Sequence, residues 1–416
     1  MSKLLYKLGV WGYGAAIRLA TVSSPKARKF VAGRVGLIEH IEETLEHEKR
    51  PRVWMHCASL GEFEQGRPVL ELLRQRHPGE AFIITFFSPS GYEVRRDYAG
   101  ADYVFYLPED TAENARRFLR VVKPRLALFV KYDLWLHYLS ELDRQNIPTV
   151  LFAAIFRKRQ GFFQWYGGVQ RQMLGLLKDI FVQDEQSKTL LAGIGINNVA
   201  IAGDTRFDRV VAATRERQEL SEMENFSRGS SLIVAGSTWS QDEALLAAWV
   251  DGLPENWKLV IVPHEVDTDH LRSIESLFRG RIARWGDKGS SQHRVLLVDR
   301  VGLLLSIYQY ASIAYVGGGF GKAGVHNVLE PAALGLPVIH GPIFHQFIEA
   351  QALVAAGGAC VTKNVDGLSK ILEGWTKNES ARIEAGAKAK AYVISGTGAT
   401  TKIVDYLDAK YWLMTL

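Results

Sequence analysis

Apolar, β-branched and aromatic residues recur along the chain in short runs with few polar interruptions: Val53 to Cys57, Ala81 to Phe86, Tyr103 to Tyr106, Leu126 to Val130, Thr149 to Ala153, Ile180 to Val182 and Val199 to Ala202. Runs without polar alternation suit strands buried on both faces, the property of a parallel sheet. Helical patterns lie between most of them, so this half reads as successive βα units. A second series follows at Leu232 to Ala235, Lys258 to Val262, Val295 to Val298, Ile313 to Val316, Pro337 to His340 and Ala359 to Thr362. Between the two series, residues 208–230 are rich in Arg, Glu and Ser and predict a hinge region. Helical periodicity from Glu379 to Ser395 and from Thr401 to Leu413 closes the chain without a strand. The expected fold is α/β, with two Rossmann-like, doubly wound parallel-sheet domains (36–207 and 231–395) facing a central cleft. Residues 1–35 form a separate basic, amphipathic helical segment, and 396–416 a terminal helix that packs back on the domain junction.

The 416 residues are 47% hydrophobic and 23% charged, enough apolar material for two full cores. Cys57 and Cys360 stand far apart with no CxxC spacing, which argues against a disulfide framework or a zinc knuckle and suits a reducing, cytoplasmic setting. A net charge of +5 without a long basic run or an RNA-binding signature excludes nucleic acid as the natural partner. The basic excess is local instead. Lys3, Lys7, Arg18, Lys26, Arg28, Lys29 and Arg34 surround an apolar stretch, Leu8 to Ile17, that contains Trp11 and Tyr13. Cationic flanks with interfacial aromatics suit an anionic membrane surface. Lys7 and Arg18 interrupt the run, which favours a helix lying in the interface over one crossing it; an ordinary helix packed on its own domain is the plain alternative.

In open parallel sheets the ligand crevice lies beyond the carboxyl ends of the strands, so residues just after each run are the first candidates. From Tyr315 to Pro342 an apolar strand runs into glycines, and a helix expected to begin near His326 follows. Glycines allow close backbone approach and a helix start favours anions, so this segment predicts a phosphate seat, with Asn327 and Glu330 sharing a face to reach a ribose. Gly319, Gly321 and Gly324 also spell GxGxxG, but a dehydrogenase would show an acidic residue about 20 positions further on, and none stands there. Ser59 with Glu62, Ser90 with Glu93 and Ser240 with Glu243 have capping-box spacing, which explains them structurally. Glu62 also follows a strand and Gly61, where a carboxylate could take a proton from an attacking hydroxyl. Lys131 and Arg206, each just after a strand, are placed to meet a phosphate, with a surface ion pair as the bland alternative. Asp267 to Asp269 form a DxD, but acidic residues at a helix start complement its dipole without any metal.

Taken together, HCASLGE (His56 to Glu62), FFSPSGYE (Phe86 to Glu93), AGDTRFD (Ala202 to Asp208), AGSTWSQDE (Ala235 to Glu243) and GVHNVLEPAALGLPVIHGP (Gly324 to Pro342) resemble the Kdo transferases of lipopolysaccharide assembly. The resemblance implies a GT-B glycosyltransferase that moves 3-deoxy-D-manno-oct-2-ulosonic acid (Kdo) with inversion from CMP-Kdo to a lipid A precursor, lipid IVA. It implies no metal and no cofactor, and a place on the cytoplasmic face of a Gram-negative inner membrane. The proton acceptor of the family's ASxGE motif falls on Glu62, and the basic residue of GxxKFD, which serves the transition state, on Arg206. The HNxLE residues that hold CMP match Asn327, Val328, Leu329 and Glu330. Lys131 stands where many members carry a glutamate, a reversal of charge. Pro263 and His264 replace a Pro-Arg pair at CMP, and Val301, Gly302 and Leu303 replace MGE, where only the glycine backbone contact is kept. A GT-B transferase of UDP-sugars and a non-catalytic nucleotide-binding membrane scaffold are the competing readings.

Overall fold

The computed structural model describes residues 2–215 and 218–412, with side chains from Tyr6 onward. The chain divides into two compact units, Met1–Arg209 with Thr397–Leu416, and Val210–Gly396. The first holds a seven-stranded sheet of β1 (Arg52–Cys57), β2 (Ala81–Phe86), β3 (Tyr103–Tyr106), β4 (Pro124–Val130), β5 (Thr149–Ala154), β6 (Asp179–Val182) and β7 (Val199–Ile201). The second holds β8 (Ser231–Thr238), β9 (Trp257–Pro263), β10 (Ile282–Arg284), β11 (Val295–Leu297), β12 (Ile313–Val316), β13 (Val338–His340) and β14 (Ala359–Val361). The spatial orders are β3-β2-β1-β4-β5-β6-β7 and β10-β11-β9-β8-β12-β13-β14, with every pairing parallel.

Side chains of successive strand residues leave opposite faces of each sheet, and both faces are buried. In β1, Trp54 joins one apolar cluster with Ile83, Ala127 and Phe129, while Val53, Met55 and Cys57 join another with Phe82, Ile84 and Leu128. The second sheet divides likewise, Ile233 and Leu259 to one side, Leu232 and Val260 to the other.

The expected hinge at 208–230 is largely helical: the helix Thr205–Ala213 carries the chain across the boundary between Arg209 and Val210, and Ser221–Ser227 forms another. The terminal helix Ala399–Leu407 belongs to the first unit, where Ile403, Val404 and Leu407 pack into its core. Asp208 accepts from the amides of Gly398 (2.7 Å) and Thr400 (2.8 Å), and Arg76 binds Asp405 and Asp408. Leu413, expected to end this helix, lies outside the described residues.

The N-terminal helix, Ser2–Ala20, exposes Leu8, Trp11, Tyr13 and Leu19 while Gly14 is buried. Among the described residues no helix is long and apolar enough to cross a membrane. Arg34, counted among the surface cations by sequence, is mostly buried. Its guanidinium lies 3.7 Å from the centroid of Phe30 and donates to the carbonyls of Phe30, Leu107 and Phe87. Burial lowers its pKa to about 10.

Candidate active site

Each sheet reverses its strand order beside its first strand, between β1 and β4 and between β8 and β12, and ligands bind at the carboxyl ends of strands at such points. At the first, Glu62 lies in the opening turn of the helix Leu60–Arg76, directly after β1. The capping box predicted for Ser59 and Glu62 is not formed. The Ser59 side chain makes no capping bond, because the glutamate reaches past it to the amide of Ala58 (Oε2, 2.6 Å) at the strand exit. Its Oε1 has no protein hydrogen bond among the described residues. Neither of the other two predicted boxes forms. Ser88 rather than Ser90 caps the helix Pro89–Arg95, since Pro89 fixes the first turn, and Glu93 pairs with Lys29. Asp242, not Glu243, accepts from the amide of the residue that caps the helix Ser240–Trp249.

Burial of the Glu62 carboxyl pushes its pKa up, and the neighbouring Asp133 adds to the rise; the Ala58 amide, Lys131 and His56 act in the opposite sense. Asp133 follows β4 and is fixed by His56 Nε2 (2.8 Å) and by Trp135 Nε1–H (3.1 Å). The buried His56 is held between two partners: Nδ1 lies 2.9 Å from Thr85 Oγ1, which accepts from Trp54 Nε1–H (2.8 Å), and Nε2 faces Asp133. Lys131 has φ of 63°, a left-handed conformation costing on the order of 1–2 kcal/mol for a side chain with a Cβ. Such strain gathers where side chains must be aimed. Arg206 is engaged locally, its Nε and Nη2 on Asp204 at 2.8 and 2.7 Å.

At the second reversal the exits of β8 and β12 are pressed together. A Cβ on Gly317 would lie 2.3 Å from the Ser237 carbonyl, so only glycine fits there. Gly318 has φ of 88°, and Asp242, fully buried, ties the loop by accepting from Gly318 N (2.9 Å), Trp239 N (3.0 Å) and the Tyr315 hydroxyl (2.6 Å). Against this loop stand the rings of Trp239, His264 and His326. The imidazoles stack with centroids 4.4 Å apart, and Trp239 Nε1–H donates to His326 Nε2 (2.8 Å). Burial, and then His264, lowers the pKa of His326.

The helix expected to start near His326 starts at Leu329 and is five residues long. Asn327 lies before it and accepts from the Leu329 amide (3.1 Å) while its Nδ2 donates to Glu330 (3.0 Å), so the side chain occupies the helix start offered to an anion. Val328 and Leu329 are buried in the core, which leaves only their backbone for any ligand. Pro263 is buried at the end of β9, and His264 is exposed beside it. Val301 is 83% exposed, and Gly302 turns with φ of 88° and open space where a Cβ would be, ahead of Leu303 and the helix Leu304–Tyr308. In the DxD segment Asp267 caps the helix Thr268–Phe278, as the dipole argument expects. No group of three His, Cys, Asp or Glu residues able to hold a metal occurs among the described residues.

The sequence assigned no chemical role to His56, Asp133, Trp239 or His326, although all but Asp133 lie within the segments quoted above. Their pairing crosses 77 and 87 positions, and the one available signal was that His56, Asp133 and Trp239 lie at or just beyond a strand's carboxyl end, with His326 in the glycine loop that follows β12.

The sequence pattern of the family described as 3-deoxy-D-manno-octulosonic-acid transferase (kdotransferase) matches residues 31–209. A 3-deoxy-D-manno-octulosonic acid transferase of Haemophilus influenzae is 26% identical over 412 residues, covering 94% of this chain and 93% of its own. The enzyme of that name from Chlamydia trachomatis serovar A is 31% identical over 356 residues, 81% of each chain. Among solved structures, the UDP-GlcNAc 2-epimerase of Neisseria meningitidis aligns with a TM-score of 0.62 at 18% identity, over 86% of this chain and 100% of its own. MurG of Acinetobacter baumannii aligns at 0.54 and 12% identity, over 87% and 100%. These last two likenesses concern the fold alone.

Proposed function

The chain belongs to the 3-deoxy-D-manno-octulosonic acid transferases, and we propose that Glu62 is the base with which it transfers Kdo from CMP-Kdo to a hydroxyl of a lipid A precursor. The observation that carries this is the Glu62 carboxyl itself: half-buried at the strand-order reversal of the first sheet, raised in pKa, with one oxygen anchored on Ala58 N and the other open to a substrate proton. As the acceptor oxygen bonds to the anomeric carbon of Kdo, its proton passes to Glu62 and the bond to the CMP phosphate breaks, with the electron pair leaving on CMP.

The second unit holds the nucleotide in this reading, through the glycine loop after β12, the Gly302 turn, Asn327 with Glu330, and the imidazole of His264. CMP leaves with a single phosphate, whose charge protein amides and cations can meet. Lys131 adds positive charge beside Glu62, and Arg206, oriented by Asp204, is the group assigned to the developing negative charge. The N-terminal helix holds the protein at an anionic membrane surface, where the lipid acceptor resides.

The test is transfer from CMP-Kdo to lipid IVA, read by mass spectrometry. Glu62→Gln is expected to fold normally and to lose about 10²–10⁴ in kcat, the range of a lost general base. Full activity of that variant overturns the assignment, and a wild-type protein that binds UDP in preference to CMP overturns the donor.

A further inference from the structure

We propose that the cavity between the N-terminal helix and the loops leaving β2 and β4 receives an acyl chain of the acceptor, a proposal that rests on the acceptor being the phosphorylated lipid named above. The cavity measures about 450 Å³, within the range of small-ligand sites. Gly9, Val10, Tyr13 and Gly14 wall it on the helix side, Phe87 and Trp135 on the loop side. Three carboxylates also border it, and each is held by protein donors. Glu109 pairs with Arg18 (2.9 Å), Asp110 accepts from the Tyr6 hydroxyl (2.6 Å) and the His137 and Tyr138 amides, and Asp133 binds His56 and Trp135. With those charges engaged, what the cavity offers a guest is aromatic and aliphatic surface.

Two further observations select the guest. Asp133 is shared between this cavity and the base, since its charge acts on Glu62, so a chain lodged here tethers its own sugar beside the proton acceptor. A second cavity of about 240 Å³ adjoins the first through Tyr13 and Phe87, whose rings stack 5.9 Å apart, and it presents Ser24, Lys26 and Ser88. An apolar chamber joined to one with a cation and two hydroxyls complements an amphiphile that carries both an acyl chain and a phosphate. Lys26 and the serines meet the phosphate, and the larger chamber takes the chain.

Gly9 provides a clean handle. Glycine inside a helix costs about 1 kcal/mol relative to alanine, yet a Cβ at Gly9 would meet nothing within 4 Å: the space it leaves is part of the cavity. Gly12 of the same helix is equally open but lies outside the lining. The experiment uses the full chain in detergent micelles with CMP-Kdo and two acceptors, tetraacylated lipid IVA and its fully deacylated bisphosphate disaccharide. Across Gly9→Ala, Gly9→Leu and Gly9→Phe, the ratio of kcat/KM for the acylated to the deacylated acceptor should fall stepwise, by about tenfold or more at Phe, the scale of one lost apolar contact of 1.4 kcal/mol. Gly12→Leu should leave that ratio unchanged. An equal effect on both acceptors, no effect on either, or a Gly12→Leu variant that behaves like Gly9→Leu overturns the proposal while the transfer activity stands. A wild-type protein that transfers Kdo to neither acceptor overturns the activity as well.

Discussion

Glu62 is governed by two neighbours of opposite charge, and this makes its role separable from a merely structural one. A base works deprotonated, so activity should rise with pH through its pKa, which burial and Asp133 hold above the ordinary glutamate value near 4.3. Asp133→Asn keeps an oxygen to accept from His56 and Trp135 but removes the negative charge. The acid limb of the kcat/KM profile should then move down, because a close like charge no longer opposes ionisation. Lys131→Met removes a cation that stabilises the carboxylate, so its limb should move up. Shifts in the same direction, or none, would mean that the limb belongs to another group. Glu62 was legible in the sequence because strand, glycine and carboxylate follow one another there. Asp133 and His56 were not, since nothing local marks a histidine whose partner stands 77 positions away.

At the scale of elements, runs of apolar residues located thirteen of the fourteen strands among the described residues to within a few positions, because strands buried on both faces leave no polar alternation to misread. The exception, Ile282–Arg284, has three residues with one buried alanine at its centre, too little apolar signal for a strand at the edge of its sheet. Helix starts were less legible. Asn, Ser and Asp cap from several offsets, so spacing alone did not reveal that Asn327 closes its own helix or that Asp242 does its bonding across the loop. The latter yields a prediction about how the glycine segment is held. Asp242→Ala frees the Gly318 and Trp239 amides and the Tyr315 hydroxyl together, and hydrogen bonds to a charged group contribute about 1.5–3 kcal/mol each. Its urea midpoint and its affinity for CMP should both fall. Asp242→Asn, with its oxygen toward the two amides and the tyrosine hydroxyl turned to accept, should keep most of both. If the alanine variant binds CMP like the wild type, the loop does not depend on this carboxylate.

For the whole molecule, the surface of the N-terminal helices offers a test of the membrane contact proposed above. Lys7, Lys26 and Arg28 are exposed on the N-terminal helices, while Arg34 is committed to the fold and Arg18 and Lys29 pair with Glu109 and Glu93. Trp11 and Leu19, 73% and 78% exposed, are large apolar side chains on the same helix as Lys7. On the membrane contact proposed above, a surface with both features would bind bilayers by two separable terms. Each cation near an anionic leaflet contributes about 1 kcal/mol, screened by salt, and the apolar side chains contribute a term that salt does not screen. Sedimentation with vesicles should therefore show binding to phosphatidylglycerol-containing bilayers that weakens as sodium chloride is raised. Lys7→Gln with Arg28→Gln should lower the partition constant by about 2 kcal/mol, roughly thirtyfold, and flatten the salt dependence. Trp11→Ser with Leu19→Ser should weaken binding at every salt concentration and leave its slope intact. Equal binding to neutral and anionic vesicles would remove the electrostatic half of this account. A Trp11 and Leu19 double variant that binds as well as the wild type would remove the other half, leaving the exposed face of that helix to some role other than lipid contact.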